Sequence, residues 1–257
     1  MPTEVFEISA FANYASLAGR VVFVTGGASG IGADIVRAFA GQGARVGFVD
    51  LLAAEGEALA TEVGGLFIRC DVTDIPALQT AIAEVGERLG PIGVLVNNAA
   101  NDDRHQIDEV TEAYWDWSQS INLKPQFFAA QAVRKQMRQL GGGSIINFSS
   151  IAWRGGADMM PSYATAKAGV LGLTRALGRG FGPDNIRVNA IEPGAVITER
   201  QKALWYKTQE SIDAVVSRQS IRRVLLGEEI ARMVLFLASD DSRMITKQSI
   251  TVDAGLR

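Results

Sequence analysis

Short apolar runs and longer amphipathic stretches alternate along this chain. The first run, Arg20-Val21-Val22-Phe23-Val24-Thr25, is rich in β-branched residues and lacks polar alternation. That pattern predicts a strand buried on both faces. Runs of the same character cover Arg45 to Asp50, Leu66 to Cys70, Ile92 to Val96, Ser144 to Phe148, Ile186 to Ile191 and Gln248 to Val252. Between them, apolar residues recur at helical spacing from about Ile31 to Gln42, Asp74 to Leu89, Thr111 to Leu140, Pro161 to Phe181 and Gly227 to Ala238. Gly43 stops the first of these helices. Strands that alternate with helices pair in parallel through right-handed crossovers. The predicted fold class is α/β, a single doubly wound parallel sheet of about seven strands with helices on both faces. Residues 1–18 carry no strong pattern and read as an N-terminal arm; 19–257 read as one domain without linker or repeat.

Composition narrows the picture. The chain has 257 residues, 47% of them hydrophobic, enough for one large core. Its net charge is −3 and it holds no basic block, which argues against nucleic acid as a partner. The opening Met1-Pro2-Thr3-Glu4-Val5-Phe6-Glu7 is acidic and does not read as a signal peptide. No stretch approaches the ~18 apolar residues of a membrane span. Cys70 is the sole cysteine, so neither an intrachain disulfide nor a thiolate metal cluster is available. The expectation is a cytoplasmic protein that uses no metal.

Candidate chemistry gathers just after the predicted strands, where ligands bind in such sheets. Gly26-Gly27-Ala28-Ser29-Gly30-Ile31-Gly32 links the first strand to the first helix. Glycines let a backbone approach a pyrophosphate, and a helix N-terminus offers N–H groups and a positive dipole end. The spacing is TGxxxGxG rather than GxGxxG. Asp50 ends the next strand, 18 residues after Gly32. A carboxylate there accepts from ribose hydroxyls and repels a 2′-phosphate. Leu51 and Leu52 follow it, with no arginine to hold such a phosphate, so the expected cofactor is NAD rather than NADP. Capping the next helix is the alternative role for Asp50.

The second cluster lies around residues 149–167. Pro161 suits a first helical position, which puts Tyr163 and Lys167 on one helix face. A tyrosine of pKa ~10 is a poor base at neutral pH, and a lysine ammonium beside it favours the phenolate. Ser150, at the end of a strand, orients a substrate oxygen beside the phenol. Together these make a proton-transfer site for a hydroxyl or carbonyl. Asn122 is a poor helix former in mid-helix, and Pro125 removes the usual partner of the Ile121 carbonyl. A kink there frees a carbonyl to hold water near Tyr163.

The pattern resembles the short-chain dehydrogenase/reductase family from about Leu17 to Arg257. The resemblance rests on TGGASGIG at 25–32, Asp50, Asp71-Val72, NNAA at 97–100, Asn122, Ser150, YxxxK at 163–167 and PGAVIT at 193–198. Thirteen residues separate Ser150 from Tyr163; NNAA replaces the commoner NNAG. The resemblance implies a Rossmann fold, with Tyr163 as catalytic base. Lys167 lowers its pKa and holds the nicotinamide ribose, Ser150 positions the substrate oxygen, and Asn122 supports a proton-relay water. It gives the phosphate turn to Gly26, Ser29, Gly30, Ile31 and Gly32, and the adenosine ribose to Asp50 beside Leu51. Asp71 and Val72 take the adenine, Asn97 and Ala99 the ribose region. Pro193, Gly194, Val196 and Thr198 line the nicotinamide side, the last two at its carboxamide. It also implies a homotetramer that pairs the helices near 111–140 and 161–181.

Three further segments resemble the bacterial sugar 1-dehydrogenase branch: Asn101-Asp102-Asp103-Arg104-His105, the RQ-x-x-LW segment at 200–205, and the C-terminal DAGLR. The branch oxidises aldoses of the galactose, xylose, arabinose or fucose type to lactones. Asn101, Asp102, His105, Ser150, Trp153, Tyr163, Gln201 and Trp205 form its expected substrate lining. Polar groups match hydroxyls, and an indole face stacks on C–H bonds. The alternatives are an NAD-dependent secondary alcohol dehydrogenase or ketone or 3-oxoacyl reductase, and a non-catalytic nucleotide-sensing protein.

Overall fold

A computed structural model describes residues 11–257. Seven strands are present: β1 (Val21–Thr25), β2 (Arg45–Asp50), β3 (Leu66–Arg69), β4 (Ile92–Asn97), β5 (Gly143–Phe148), β6 (Ile186–Pro193) and β7 (Ser249–Val252). The intervening helices are α1 (Gly30–Gly41), α2 (Ala53–Val63), α3 (Ile75–Leu89), α4 (Glu112–Asn122), α5 (Lys124–Gln139), α6 (Pro161–Phe181), α7 (Glu199–Leu204), α8 (Gln209–Ser217) and α9 (Gly227–Ala238). The strands form one parallel sheet in the order β3-β2-β1-β4-β5-β6-β7. The chain starts in the middle with β1, builds outward to β3, then crosses to β4 on the other side. That switch opens a crevice at the C-terminal strand ends, between β1 and β4.

The period-two alternation of strands divides the core. Val22, Val24, Val94 and Val96 face one side, against Ile35 and Phe39 of α1 and Ile230 and Val234 of α9. Val21, Phe23, Ile92 and Leu95 face the other, against Leu78 and Ile82 of α3 and Val133 and Met137 of α5. Both faces are covered, which is why the strands read as unbroken apolar runs.

Four features depart from the sequence expectations. The predicted helical stretch from Thr111 to Leu140 is two helices, not one kinked helix. Leu123, at φ −128 and ψ −54, separates α4 from α5. Pro125 falls in the first turn of α5, where its missing N–H costs no intrahelical bond. Helix α2, expected after Asp50 only without bounds, buries no more than Gly56 and Leu59, too few for a readable stripe. Helices α7 and α8 bury no residue and carried no apolar stripe to read. Finally, residues 1–10 of the expected arm lie outside the described residues, while the rest of it is docked. Leu17 is fully buried, and Phe11 and Tyr14 pack on the core.

A cavity of about 490 Å³ opens at the opposite end of the sheet, lined by Arg20, Arg45, Arg187, Arg243 and Asp240 among others. Its cations answer a helix end. Arg187 donates to the carbonyls of Leu237 (2.8 Å) and Ser239 (3.1 Å), and Arg20 to that of Ala238 (3.2 Å). These carbonyls form the negative C-terminal end of α9. No helix among the described residues is long and apolar enough to cross a membrane.

Candidate active site

A cleft of about 990 Å³ runs along the C-terminal strand ends. The glycine turn forms one wall. Gly26 and Gly30 take φ of +65 and +51, the left-handed region that favours glycine. A Cβ on Gly32 would stand 1.8 Å from the Gly26 carbonyl oxygen. Helix α1 then starts without a side-chain cap from Ser29, so its N-terminal N–H groups and positive dipole end are open to an anion. Asp50 is held in place at both oxygens: Oδ2 accepts from Ala28 N–H (2.9 Å) and Oδ1 from Leu52 N–H (3.1 Å). Leu51, Asp71, Val72 and Ala99 continue this wall, and Pro193, Gly194, Val196 and Thr198 form the opposite one. An uncapped helix end for a diphosphate and a fixed carboxylate for ribose hydroxyls fit a dinucleotide.

Tyr163 and Lys167 occupy the first turns of α6, on the cleft. The Lys167 ammonium is 1% exposed and donates to the Phe148 carbonyl at 2.9 Å. It lies 5.4 Å from the Tyr163 ring centroid. Burial lowers the lysine to about 7, against the opposing pull of Asp102. Ser149 and Ser150 separate cleanly. Ser149 turns inward to the Lys167 carbonyl (2.6 Å), whereas the Ser150 hydroxyl accepts from Ala152 N–H (3.1 Å) and lines the cleft together with Tyr163. The phenol departs from the sequence expectation. Burial pushes its pKa up and Asp102 adds to this, while the Ser150 hydrogen bond and the Arg200 charge oppose. Without ligand, desolvation outweighs the neighbouring lysine.

Asn122 is fully buried. Its amide donates to the carbonyls of Asn101 and Ser118 (both 3.0 Å) and accepts from Asn101 N–H (3.0 Å). Its own carbonyl accepts from Gln126 Nε2 (3.1 Å). The side chain therefore clasps the loop that carries Asp102. That carboxylate pairs with Arg200, and Gln201 Nε2 donates to it at 2.6 Å. Arg200 also holds Asp103 at 3.0 Å. These contacts join the 101–103 loop to α7 across the cleft.

Several expected lining residues lie elsewhere. The Asn97 amide is buried and spent on the Gln126 carbonyl (3.2 Å) and Asn147 Oδ1 (2.9 Å); its neighbour Asn98 lines the cleft instead, tied to the Thr25 and Gly26 carbonyls. Trp153 does not offer its indole to the cleft: its Nε1 donates to Glu192 (2.9 Å) and Arg154 stacks on its ring. Trp205 lies under the Arg104 guanidinium, 4.3 Å from the ring centroid. His105 packs edge-on against Tyr114 at 4.6 Å. Asn101 caps its own loop, its Oδ1 accepting from Asp103 N–H at 2.8 Å.

The chain matches the family model described as enoyl-(acyl carrier protein) reductase over residues 26–257. It is 48% identical to the probable galactose dehydrogenase of Rhizobium meliloti, over 95% of this chain and 97% of that one. It is 45% identical to the D-xylose 1-dehydrogenase of Caulobacter vibrioides, over 95% and 98%. A double mutant of a Serratia marcescens short-chain dehydrogenase/reductase superposes with a TM-score of 0.87 at 35% identity, covering 94% of this chain and 99% of the other. The chain belongs to the short-chain dehydrogenase/reductase family.

As a member of that family, the protein is an oxidoreductase acting on CH–OH groups with a nicotinamide cofactor. Two contributors escaped the sequence reading. Arg200 lies 98 residues from Asp102, and nothing in one dimension pairs the two. Glu192 follows an apolar run with no motif to mark it, and its partner Arg154 is 38 residues away.

Proposed function

We propose that this protein is an NAD-dependent aldose 1-dehydrogenase. The observation that carries the reading is the charged mouth over the catalytic pair. Asp102, Arg200 and Gln201 present acceptors and donors where a polyol would enter, and Asp102 lies close enough to bear on both Tyr163 and Lys167. The names of the galactose and xylose dehydrogenase relatives support the same substrate class. Ser150 and Tyr163 hydrogen-bond the anomeric hydroxyl, and the tyrosinate takes its proton. When bound, the nicotinamide supplies the acceptor for the C1 hydride. The lost proton and hydride leave a lactone. Lys167 places its Nζ beside the phenol, and Asn122 fixes the loop that bears Asp102.

The test is NADH formation across a panel of aldoses, with secondary alcohols and 3-oxoesters as controls. Turnover of one or two aldoses with a lactone product is expected. Activity confined to oxoesters or simple alcohols would remove the sugar assignment and favour the reductase reading that the family model's description suggests. Dinucleotide binding without turnover of any of them would favour a nucleotide sensor.

NAD is the proposed cofactor for a charge reason. Asp50 stands ready for ribose hydroxyls, and the Arg37 guanidinium on the same cleft is already forked onto Glu62 at 2.7 and 2.9 Å. Asp50→Ala is expected to lower the NAD⁺-over-NADP⁺ ratio of kcat/KM roughly tenfold or more, from lost hydrogen bonds and relieved repulsion. An unchanged ratio sinks the assignment.

A homotetramer is also proposed. Trp115, Trp117 and Phe127 on α4 and α5 are 37–40% exposed, large apolar side chains that a second copy would cover. A sedimentation mass of one chain removes it.

A further inference from the structure

Glu192 is a carboxylate with 0% exposure, at the C-terminal end of β6. Three side chains converge on it with four hydrogen bonds. Trp153 Nε1 donates to Oε2 at 2.9 Å, and Arg154 forks onto both oxygens at 2.8 and 2.9 Å. Ser249 Oγ, from β7, donates to Oε1. These N–H and O–H donors need an acceptor-only partner, and an ionised carboxylate is the side chain that offers one. Burial pushes the carboxyl up, but the bonds from Arg154, Ser249 and Trp153 outweigh it and hold it below the usual glutamate range.

What this anchor secures is the segment next to Ser150. Residues Ile151–Trp153 form a short 3-10 turn, and Ser150 caps it by accepting from Ala152 N–H at 3.1 Å. With that lone pair occupied, the Ser150 hydroxyl is fixed on the cleft that it shares with Tyr163. The far end of the turn hangs on Glu192 through Trp153 and Arg154. Residue 193, directly after Glu192, begins the stretch that forms the opposite cleft wall. One buried carboxylate thus ties the serine-bearing turn to the end of the neighbouring strand, where the 193–198 stretch of the cleft begins.

We propose that Glu192 is a positioning residue for Ser150, acting through Trp153, Arg154 and the 3-10 turn to aim the serine hydroxyl at Tyr163. The inference rests on the reading that Ser150 and Tyr163 form the reaction centre. It also gives Trp153 a job: the indole serves the serine from behind instead of stacking on substrate. A geometric error of about an ångström at a reacting group costs up to ~100-fold, so a loosened turn reads out in turnover.

The test uses two variants of the full chain with NAD⁺. Glu192→Gln keeps the shape but sets an amide N–H₂ against donors. Arg154, one-third exposed, then swings to solvent, so the fold survives. Trp153→Phe removes one N–H and is the milder change. Glu192→Gln is expected to lower kcat on the order of tenfold, and Trp153→Phe by less, with KM for NAD⁺ unchanged. A second readout needs no substrate: the Tyr163 phenolate, followed by ultraviolet absorbance against Tyr163→Phe. Losing the serine hydrogen bond should move its ionisation to higher pH in both variants. Wild-type kcat and phenolate titration in both variants overturn the proposal. So does a loss of turnover that only tracks the folded fraction. If Tyr163→Phe itself stays active, the reaction-centre reading fails instead, and the two failures are distinct.

Discussion

Replacing Tyr163 with phenylalanine is expected to lower kcat by roughly 10²–10⁴-fold, the usual weight of a positioned acid or base, while NAD⁺ binding stays near the wild-type value. The change deletes one oxygen from a half-buried ring. Ser150 keeps its bond from Ala152 N–H, and the aromatic face beneath Lys167 remains. The loss therefore falls on the proton-transfer step. The pH profile gives a second check. Burial and Asp102 push the phenol up, so below that raised value a small fraction is ionised and the rate of oxidation climbs with pH. The phenylalanine variant has no such group, and its residual rate should be flat over the same range. Steady-state NADH formation and calorimetric titration of NAD⁺ measure the two quantities. Wild-type turnover in the variant would take the tyrosine out of its role.

The placing of Tyr163 beside Lys167 was legible because it depends on spacing within one helix. Four residues put Tyr163 and Lys167 on one face whatever the tertiary context. The strands were legible because both sheet faces are covered, as the uniform burial of β1 and β4 shows. Helices α7 and α8 were not, since a helix that buries nothing has no stripe to read. Asp102, Ser150, Tyr163 and Gln201 line the cleft as expected, whereas Trp153 departs for a different reason. Sequence proximity to the catalytic serine gave Trp153 a place near the cleft but not a direction, and Glu192 drew its indole the other way. Asn97 and Asn98 show the same limit at one residue's resolution: alternate side chains of a strand end point to opposite places. Nor does spacing carry dielectric. The lysine next to the phenol was read as an ordinary ammonium, yet its burial changes the balance.

That burial leads to the second large effect. Lys167→Met is expected to abolish most turnover and, at neutral pH, to raise the Tm of the ligand-free protein. A buried ammonium costs several kcal/mol of desolvation. Lys167 recovers one carbonyl bond and a contact with the Tyr163 ring, the latter about 0.5–2 kcal/mol. Methionine fills the same channel without the charge. The Phe148 carbonyl does not go unpaired, because Gln126 Nε2 still donates to it at 3.2 Å. The pH dependence follows from the shift. The lysine titrates at about 7 when folded against 10.5 when unfolded. Between those values the unfolded chain holds a proton that the folded one has released, so unfolding takes up a proton and rising pH opposes it. Wild-type stability should climb from pH 7 towards 10, and the methionine variant should lack this lysine-dependent climb. Above pH 10 Tyr163 acts in the opposite sense, since its folded phenol stays protonated while the unfolded one ionises. Calorimetry at pH 7 and 9 on both proteins reads the difference. A variant that melts lower at both values would make Lys167 a structural post. A higher Tm with lost turnover makes it a cation held at a cost to stability for the sake of the phenol beside it.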